Sequence, residues 1–270
     1  MRFLHDLDPF ILRIHGDFGI RWYSLPYLIG LILAYRALRR AEGPGGTRRF
    51  TPDAVDRFVV YAFVGVLLGA RFFHVFVFEL ADYGFDPLAW IAIWRGGLSF
   101  HGGLVGAALA AALFAAREGV PFYEVSDRLV VPAAIALGFG RIGNFINAEM
   151  PGTPYEGPFC IDYSMNTRLA RPPAGCRHPT QLYEMAKNWV IAVFLFVLGR
   201  RAPRPGVLTW SFVGLYGLIR FWLMFLRDEV DVWGPFTLSQ LFSALMALVA
   251  AAALAWLLRP LAAPAVAPER

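Results

Sequence analysis

The chain is poor in charge and almost free of cysteine. Only 17% of its 270 residues are charged and 57% are hydrophobic, whereas a soluble protein carries about 25% charged residues. A chain with so little polar surface cannot cover itself in water, so we predict a polytopic membrane protein. Its only two cysteines, Cys160 and Cys176, are too few for a disulfide scaffold or a zinc site.

Several enzyme signatures are absent as well. The sequence contains no HExxH, CxxC, Walker A or GxSxG pattern, which excludes several large enzyme classes. The histidines lack metal-like spacing, so no metal site is expected. No stretch interleaves basic and aromatic residues, so no nucleic-acid partner is expected despite the net charge of +5. Acidic and basic residues interrupt the first twenty positions, so no cleavable signal peptide is predicted.

Seven apolar stretches approach the ~20 residues that a helix needs to cross the ~30 Å hydrocarbon core. They are Trp22–Leu38, Phe58–Phe78, Leu98–Ala116, Leu129–Ile146, Gln181–Gly199, Val207–Leu226 and Leu238–Leu258. The fifth is the least regular, because Glu184 and Lys187 interrupt its first turns. We expect an all-α bundle of about seven transmembrane helices, forming one domain over residues 1–259, with a disordered tail at 260–270.

The connections between these stretches predict the orientation. Arginines concentrate after the first, third and fifth stretches and at the C-terminus, and Arg200–Pro205 is short, basic and free of acid. Because basic loops stay in the cytoplasm, the N-terminus is expected outside and the C-terminus inside. The long connection at 147–180 is then external and could form a small folded lid. Cys160 and Cys176 both lie in it, facing an oxidising compartment, as either a disulfide or two free thiols.

Polar side chains within the spans share one depth. With this topology they all fall in the outer half of the membrane, and the inner halves are almost purely apolar. The polar residues are Tyr23, Arg71, His74, His101, Arg141, Asn144, Glu184, Lys187, Asn188, Tyr216 and Arg220. Spacings of three or four residues place several of them on common helix faces. We expect a water-accessible cavity that opens toward the outer leaflet.

A cationic cavity at one leaflet suits an anionic lipid headgroup, because the arginine fork binds phosphate in a bidentate manner. The alternative is structural, with the arginines snorkelling or pairing with Glu149 and Glu184. A transporter or lipid-binding protein is a second alternative, although the apolar inner halves offer no continuous polar path. A headgroup-exchanging phosphatidyltransferase is a third, and the spans lack the metal-binding aspartates it would need. Gly65–Gly69 and Gly102–Gly106 have GxxxG spacing, which predicts close helix packing without any further role.

One stretch identifies a family. GRIGNFINAEMPG at Gly140–Gly152 resembles the prolipoprotein diacylglyceryl transferase signature G-R-x-G-N-F-x-N-x-E-x-x-G at every fixed position. RWYS at Arg21–Ser24, SFHGGL at Ser99–Leu104, HPTQLYE at His178–Glu184 and YGxxR at Tyr216–Arg220 agree with the family in order. The resemblance covers essentially the whole chain.

This resemblance implies an enzyme of the bacterial inner membrane with its active site toward the periplasmic leaflet. Such enzymes transfer the diacylglyceryl group of phosphatidylglycerol to the lipobox cysteine thiol in a prolipoprotein signal peptide. A thioether forms and glycerol phosphate leaves. The partners are therefore membrane lipid and prolipoprotein, and no metal or organic cofactor is implied.

The resemblance and the chemistry together select candidate residues. Arg141 and Arg220 are expected to act in catalysis on the leaving phosphate. His101 is the candidate base for the incoming thiol, although an arginine-rich cavity could instead lower the pKa of the thiol itself. The expected substrate-binding residues are Tyr23, Asn144, Glu149, Gly152, Tyr216 and Arg227. For the two tyrosines, anchoring at the membrane interface is the alternative.

Overall fold

A computed structural model describes most of the chain. The described residues are 2–15, 18–43, 46–80, 84, 86–91, 97–166, 169, 172–229 and 231–259. Within them, the side chains of residues 18, 78, 89, 100, 101 and 231–233 are not described. The tail predicted at 260–270 lies outside the described residues.

Eight α-helices dominate the described part of the chain. They are α1 (Leu25–Arg39), α2 (Pro52–His74), α3 (Pro87–Ile91), α4 (Phe100–Arg117), α5 (Phe122–Ile146), α6 (Thr180–Gly199), α7 (Val207–Leu223) and α8 (Leu238–Leu257). A 3-10 turn at Trp22–Ser24 precedes α1, a π-helical turn at Val75–Glu79 extends α2, and a 3-10 turn at Met224–Leu226 extends α7. Each of the seven predicted apolar stretches overlaps a helix, and the short α3 was not predicted.

In the described part of the chain, five helical segments are long and apolar enough to cross a membrane. They are Pro52–Val77, Phe122–Ile146, Thr180–Gly199, Val207–Leu226 and Leu238–Leu257. They include the irregular fifth stretch, because Glu184 and Lys187 face inward and leave the lipid side apolar, as exposed Val193 and Phe194 show. The expectation of a mostly helical, multi-pass protein is confirmed. The count of seven spans and the orientation stay predictions, since α1 has only 15 residues and Gly102–Arg117 is a shorter apolar helix.

Seven short strands depart from the expectation of an all-α chain. They are β1 (Arg2–Leu4), β2 (Phe10–His15), β3 (Phe18–Arg21), β4 (Cys160–Asp162), β5 (Cys176–Arg177), β6 (Asp231–Trp233) and β7 (Phe236–Thr237). The first sheet has the order β1-β4-β5, with β1 parallel to β4 and β4 antiparallel to β5. The pairs β2–β3 and β6–β7 are antiparallel. Strands of two to six residues carry too few side chains for an alternating pattern to stand out in sequence.

Glycines bring α2 and α4 into close contact, as their spacing predicts. A Cβ atom on Gly65 would lie 2.7 Å from the carbonyl oxygen of Gly106, and one on Gly69 would lie 2.5 Å from that of Gly102. Any larger residue would separate the helices. This packing fixes the N-terminal end of α4, where His101 lies, against α2.

Side-chain caps fix helix ends at opposite ends of the bundle. Asp127 of α5 accepts hydrogen bonds from the backbone N–H groups of Gly206 (2.7 Å) and Thr209 (2.8 Å), which begin α7. Thr237 and Gln240 form a reciprocal capping box at the start of α8. These contacts satisfy N–H groups that no helical turn can pair, and the bonds of Asp127 also join α5 to the start of α7.

The two cysteines form a disulfide in the connection between α5 and α6. Cys160 in β4 is bonded to Cys176 in β5, with Cα atoms 5.4 Å apart. This result decides between the two alternatives that the sequence leaves open. The bond ties together two strands of the lid, the connection at 147–180 that follows the motif at Gly140–Gly152.

Candidate active site

Glu184 is the centre of a buried charge cluster. Its Oε2 atom accepts from Nζ of Lys187 at 2.6 Å, and its Oε1 atom accepts from Nη1 of Arg220 at 3.1 Å. Nε of Arg141 lies 3.8 Å from Oε2. The Glu184 side chain is 3% exposed, and those of Arg141 and Arg220 are 12% and 15% exposed. Helices α5, α6 and α7 therefore meet at one carboxylate.

The cluster continues into the motif at Gly140–Gly152 through a chain of hydrogen bonds. Nη1 of Arg141 donates to Oδ1 of Asn144 at 3.1 Å, and Nδ2 of Asn144 donates to Oε2 of Glu149 at 2.6 Å. Nδ2 of Asn147 donates to the other carboxylate oxygen of Glu149 at 3.0 Å. Asn144 is buried and Glu149 is exposed. The motif thus links a buried guanidinium to a carboxylate at the surface.

Glu149 lies in a strained turn. Its neighbours Ala148 and Met150 have φ angles of 56° and 53° although neither is glycine, a backbone region that costs roughly 1–3 kcal/mol for each such residue. Residues at the start of α6 hold this turn. Nε2 of Gln181 donates to the Glu149 carbonyl at 2.5 Å, and the Thr180 hydroxyl donates to the Met150 carbonyl at 3.1 Å.

The two candidate tyrosines both lie next to this network. Nζ of Lys187 lies 3.8 Å from the centroid of the Tyr216 ring, a cation–π contact. The Tyr216 hydroxyl is buried and has no hydrogen-bond partner among the described residues. Tyr23 packs on Gly143, where a Cβ atom would lie 2.7 Å from the Tyr23 ring. Both tyrosines therefore contact residues of the cluster or of the motif, and their part in substrate binding stays a prediction.

Gly152 sits where three chain segments meet. A Cβ atom at this position would lie 2.6 Å from the carbonyl oxygen of His178 and 2.8 Å from that of Leu226. Gly152 also forms an antiparallel bridge with Arg227, whose guanidinium pairs with Glu229 at 2.9 Å. The structure thus places Arg227 beside the end of the motif and already in an ion pair.

His101 lies in the first turn of α4, and its side chain is outside the described residues. Next to α4, two side chains of α2 contact Glu79. Nη1 of Arg71 lies 3.4 Å from its Oε2 atom, and Nε2 of His74 lies 3.3 Å from its Oε1 atom. Their shared helix face is as the spacing predicts. This second cluster includes an acid, Glu79, that the sequence reasoning did not select.

A cavity of about 180 Å³ borders the exposed side of the motif, lined in part by Arg21, Asn147 and Glu149. An open groove of about 530 Å³ lies beside it, against Tyr23 and Tyr27. Among the described residues, no group of three or more His, Cys, Asp or Glu is placed to hold a metal ion.

Burial shifts the pKa values of several titratable side chains in the lid. Burial raises the pKa of the Tyr163 phenol to about 12, which keeps its hydroxyl neutral beside Gln181 (3.3 Å). Burial works against ionisation of Asp162, but hydrogen bonds from Ser164 and the contact with Arg2 hold its pKa below the ordinary value. Burial lowers the pKa of His178. Burial therefore opposes the charged form of all three groups, and only Asp162 has partners that outweigh it.

Sequence reasoning missed the central position of Glu184. It noted Glu184 and Lys187 as polar interruptions and as a possible ion-pair partner, but it did not select either as a site residue. A signal was available, because an acid within an apolar span is expensive and requires a partner. Gln181 and Thr180 were also missed, since they act through the backbone of the motif.

Comparisons with known proteins identify the family of the chain. Residues 9–256 match the family described as prolipoprotein diacylglyceryl transferase. A phosphatidylglycerol–prolipoprotein diacylglyceryl transferase of Geobacter sulfurreducens is 37% identical over 249 residues, covering 90% of this chain and 92% of the relative. The enzymes of the same name from Allorhizobium ampelinum and Vibrio vulnificus are 36% and 34% identical, covering 84% and 93% of this chain and 80% and 92% of the relatives.

Proposed function

The chain belongs to the prolipoprotein diacylglyceryl transferase family, and we infer that it transfers the diacylglyceryl group of phosphatidylglycerol to prolipoproteins, the first step of lipoprotein maturation. We propose that the acceptor is the lipobox cysteine thiol of the prolipoprotein signal peptide. The observation that carries the site assignment is the cluster of Arg141, Lys187 and Arg220 around Glu184, next to the motif.

The charge of this cluster matches the proposed reaction. Three cations and one carboxylate leave an excess of two positive charges. The sulfur of the thiolate would attack the glyceryl carbon, and the bond from that carbon to the phosphate oxygen would break. The negative charge of the thiolate then passes to the phosphate, so a phosphodiester with one charge leaves as glycerol phosphate with two. Fixed cations that stabilise developing charge are among the strongest catalytic devices.

The roles divide along the hydrogen-bond chain. Arg141 and Arg220 would bind the phosphate, and among the described residues Arg220 uses only Nη1 on Glu184. Asn144 and Glu149 would orient the headgroup, with Gly152 and Arg227 closing the site on the lid side. Tyr23 and Tyr216 would line it from α1 and α7. Binding of an anionic headgroup would also offset the cost of keeping these cations in an apolar segment.

The thiol proton needs an acceptor. We propose His101, whose place at the start of α4 puts it at the same end of the bundle as the motif if α4 spans the membrane. The proton of the thiol would pass to the imidazole, and the sulfur would then form the thioether. No metal or organic cofactor is required by this balance.

The proposed location is the inner membrane of a bacterium, with seven spans, the N-terminus outside and the site in the periplasmic leaflet. The disulfide between Cys160 and Cys176 supports an external lid, because disulfides persist in oxidising compartments. The arginine-rich connection at Arg200–Pro205 supports a cytoplasmic position for the opposite end.

A reconstituted assay tests the function. The purified protein is incubated in vesicles containing phosphatidylglycerol with a peptide that carries a lipobox cysteine, and the peptide mass is measured. A gain of one diacylglyceryl unit on the cysteine is expected, and none on a peptide with serine in its place. Intact lipid binding without product would point to the lipid-binding alternative.

Variants test the site in the same assay. Arg141→Ala and Arg220→Ala are each expected to lower turnover by about 10²–10³-fold, the usual loss for one charge-stabilising donor. Arg57→Ala is a matched control, because Arg57 pairs with Glu118 near the surface and away from the motif. Full turnover in either site variant would mean that the phosphate is held elsewhere.

A further inference from the structure

His5 is distant from the motif in sequence but contacts it directly in the structure. Its side chain is completely buried. Nε2 lies 2.7 Å from the carbonyl oxygen of Phe145, in the last turn of α5, and Nδ1 lies 2.9 Å from Nδ2 of Asn166 in the lid. The ring also packs against Phe145 and Tyr163, with centroids 5.2 Å and 4.9 Å away.

These contacts define the form of the imidazole. A carbonyl oxygen only accepts, so Nε2 of His5 carries a proton and donates to Phe145. The amide nitrogen of Asn166 only donates, so Nδ1 of His5 accepts. Both bonds are made by a neutral ring with its proton on Nε2. His5 therefore joins the end of α5 to the lid with a donor on one side and an acceptor on the other.

The carbonyl that His5 reaches is part of the strained turn. The N–H of Ala148, which has the positive φ angle, donates to the same Phe145 oxygen at 3.0 Å. The next N–H, that of Glu149, donates to the Asn144 carbonyl at 2.9 Å. Strained turns persist only where the surroundings determine them. Gln181 and Thr180 hold the turn from α6, and His5 holds it from the N-terminal segment.

The N-terminal segment is itself fixed. The N–H of His5 donates to the Asp162 carbonyl at 2.9 Å, β1 pairs with β4, and Arg2 forms an ion pair with Asp162. The strand is thus anchored on the lid, and His5 projects from its end onto the motif.

We propose that His5 is a positioning residue for the transfer reaction, acting through the Phe145 carbonyl to fix the turn that presents Asn144, Asn147 and Glu149 to the phospholipid headgroup. This inference rests on the proposed function. It predicts that His5 affects use of phosphatidylglycerol and leaves recognition of the peptide unchanged.

Three variants in the vesicle assay test it. His5→Leu keeps an apolar side chain of similar size but makes neither hydrogen bond. His5→Gln can donate through Nε2 to Phe145 and accept through Oε1 from Asn166. Leu4→Ala is the matched control, because Leu4 is 58% exposed on the same strand. Melting temperature, kcat and the KM for each substrate are measured.

His5→Leu is expected to lower kcat/KM for phosphatidylglycerol by about tenfold, the usual effect of losing one buried hydrogen bond, here the bond to the Phe145 carbonyl. The KM for the peptide should be unchanged. His5→Gln should recover most of this loss, and Leu4→Ala should match the parent chain. An unchanged kcat/KM in folded His5→Leu, or an equal loss in His5→Gln, would overturn the inference. So would a loss that follows the melting temperature and raises both KM values together.

A second pair of variants, His5→Asn and His5→Gln, tests the proposal if His5→Leu folds poorly. His5→Asn carries the same amide as His5→Gln but is one methylene shorter and falls short of Phe145, so it should be the less active of the two. Equal activities would reject the role of His5. Absence of product from the parent chain would instead reject the proposed function.

Discussion

At the scale of single residues, Glu184 determines how the buried cations are arranged. A carboxylate in an apolar segment is costly unless it is paired, and Glu184 is paired with cations from three helices. An anionic ligand that binds Arg141 or Arg220 therefore competes with a group already present. For the proposed phosphate site, this pairing means that the cations are already held together before a lipid binds.

His101 provides a test of proton transfer at this scale. If it is the base, His101→Gln should lose rate mainly near neutral pH and recover as the pH rises toward the ordinary thiol pKa of about 8.5. Above that pH the thiol ionises without help. The rate of diacylglyceryl transfer is measured from pH 6 to 9. A variant profile parallel to that of the parent chain would remove His101 from this role.

Alanine substitutions at two glycines of the motif are expected to have opposite effects on stability and activity. Gly152→Ala should lower both melting temperature and activity, because the added Cβ would press against the backbone oxygens of His178 and Leu226. Gly140→Ala should be tolerated, since no atom lies within 4 Å of its Cβ position and alanine favours the helix by ~1 kcal/mol. Thermal unfolding and the transfer assay compare the pair. A Gly152→Ala protein as stable and active as Gly140→Ala would contradict this packing.

At the scale of elements, the lid is the most elaborate connection of the described chain. It combines β4, β5 and the disulfide with contacts to β1, α5 and the start of α6. Its carbonyls at Glu149, Met150 and His178 accept bonds that position the motif. The lid is thus joined by hydrogen bonds to the motif that carries the candidate site.

Removing the disulfide should lower the stability of the protein without abolishing the transfer reaction. The Cys160→Ser, Cys176→Ser double variant should unfold more easily by about 3 kcal/mol, the expected effect of opening a loop of this length, whose cysteines are 16 residues apart. Transfer activity at low temperature should persist, because the attacking thiol belongs to the substrate. Chemical denaturation and the transfer assay are the measurements. Loss of activity in the folded double variant would count against this mechanism.

Mild acid should loosen the lid through His178. Burial lowers the pKa of this imidazole in the folded protein, so the unfolded chain binds its proton more readily. The stabilising contribution is present above the ordinary pKa of about 6.5 and is lost as the pH falls below it. Melting temperature should fall between pH 7 and 5, and less so in His178→Gln. Asp162 does not act in this window, because its pKa lies below the ordinary value.

At the scale of the whole molecule, the sequence predicts the apolar helices that the structure shows and most of the residues that the structure gathers into the candidate site. Apolar stretches identify helices because lipid requires long apolar segments, and the motif identifies Arg141, Asn144, Glu149 and Gly152. The sequence alone cannot show that Glu184 pairs with cations from α5, α6 and α7, since that pairing depends on how the three helices meet. Nor does a three-residue strand such as β1 carry a pattern of its own. The position of His5 depends on the partner of that strand.

The pairing of β1 with β4 also has a consequence for biosynthesis. Arg2 and Asp162, which contact each other in the finished protein, are separated by 160 residues of sequence. Strand β1 therefore cannot pair with β4 until about 160 further residues have been synthesised, because residues cannot pair before they exist. During that interval α1, α2, α4 and α5 can form before the sheet that holds His5 is complete. The contact of His5 with the Phe145 carbonyl is consequently made only after α5 has been synthesised.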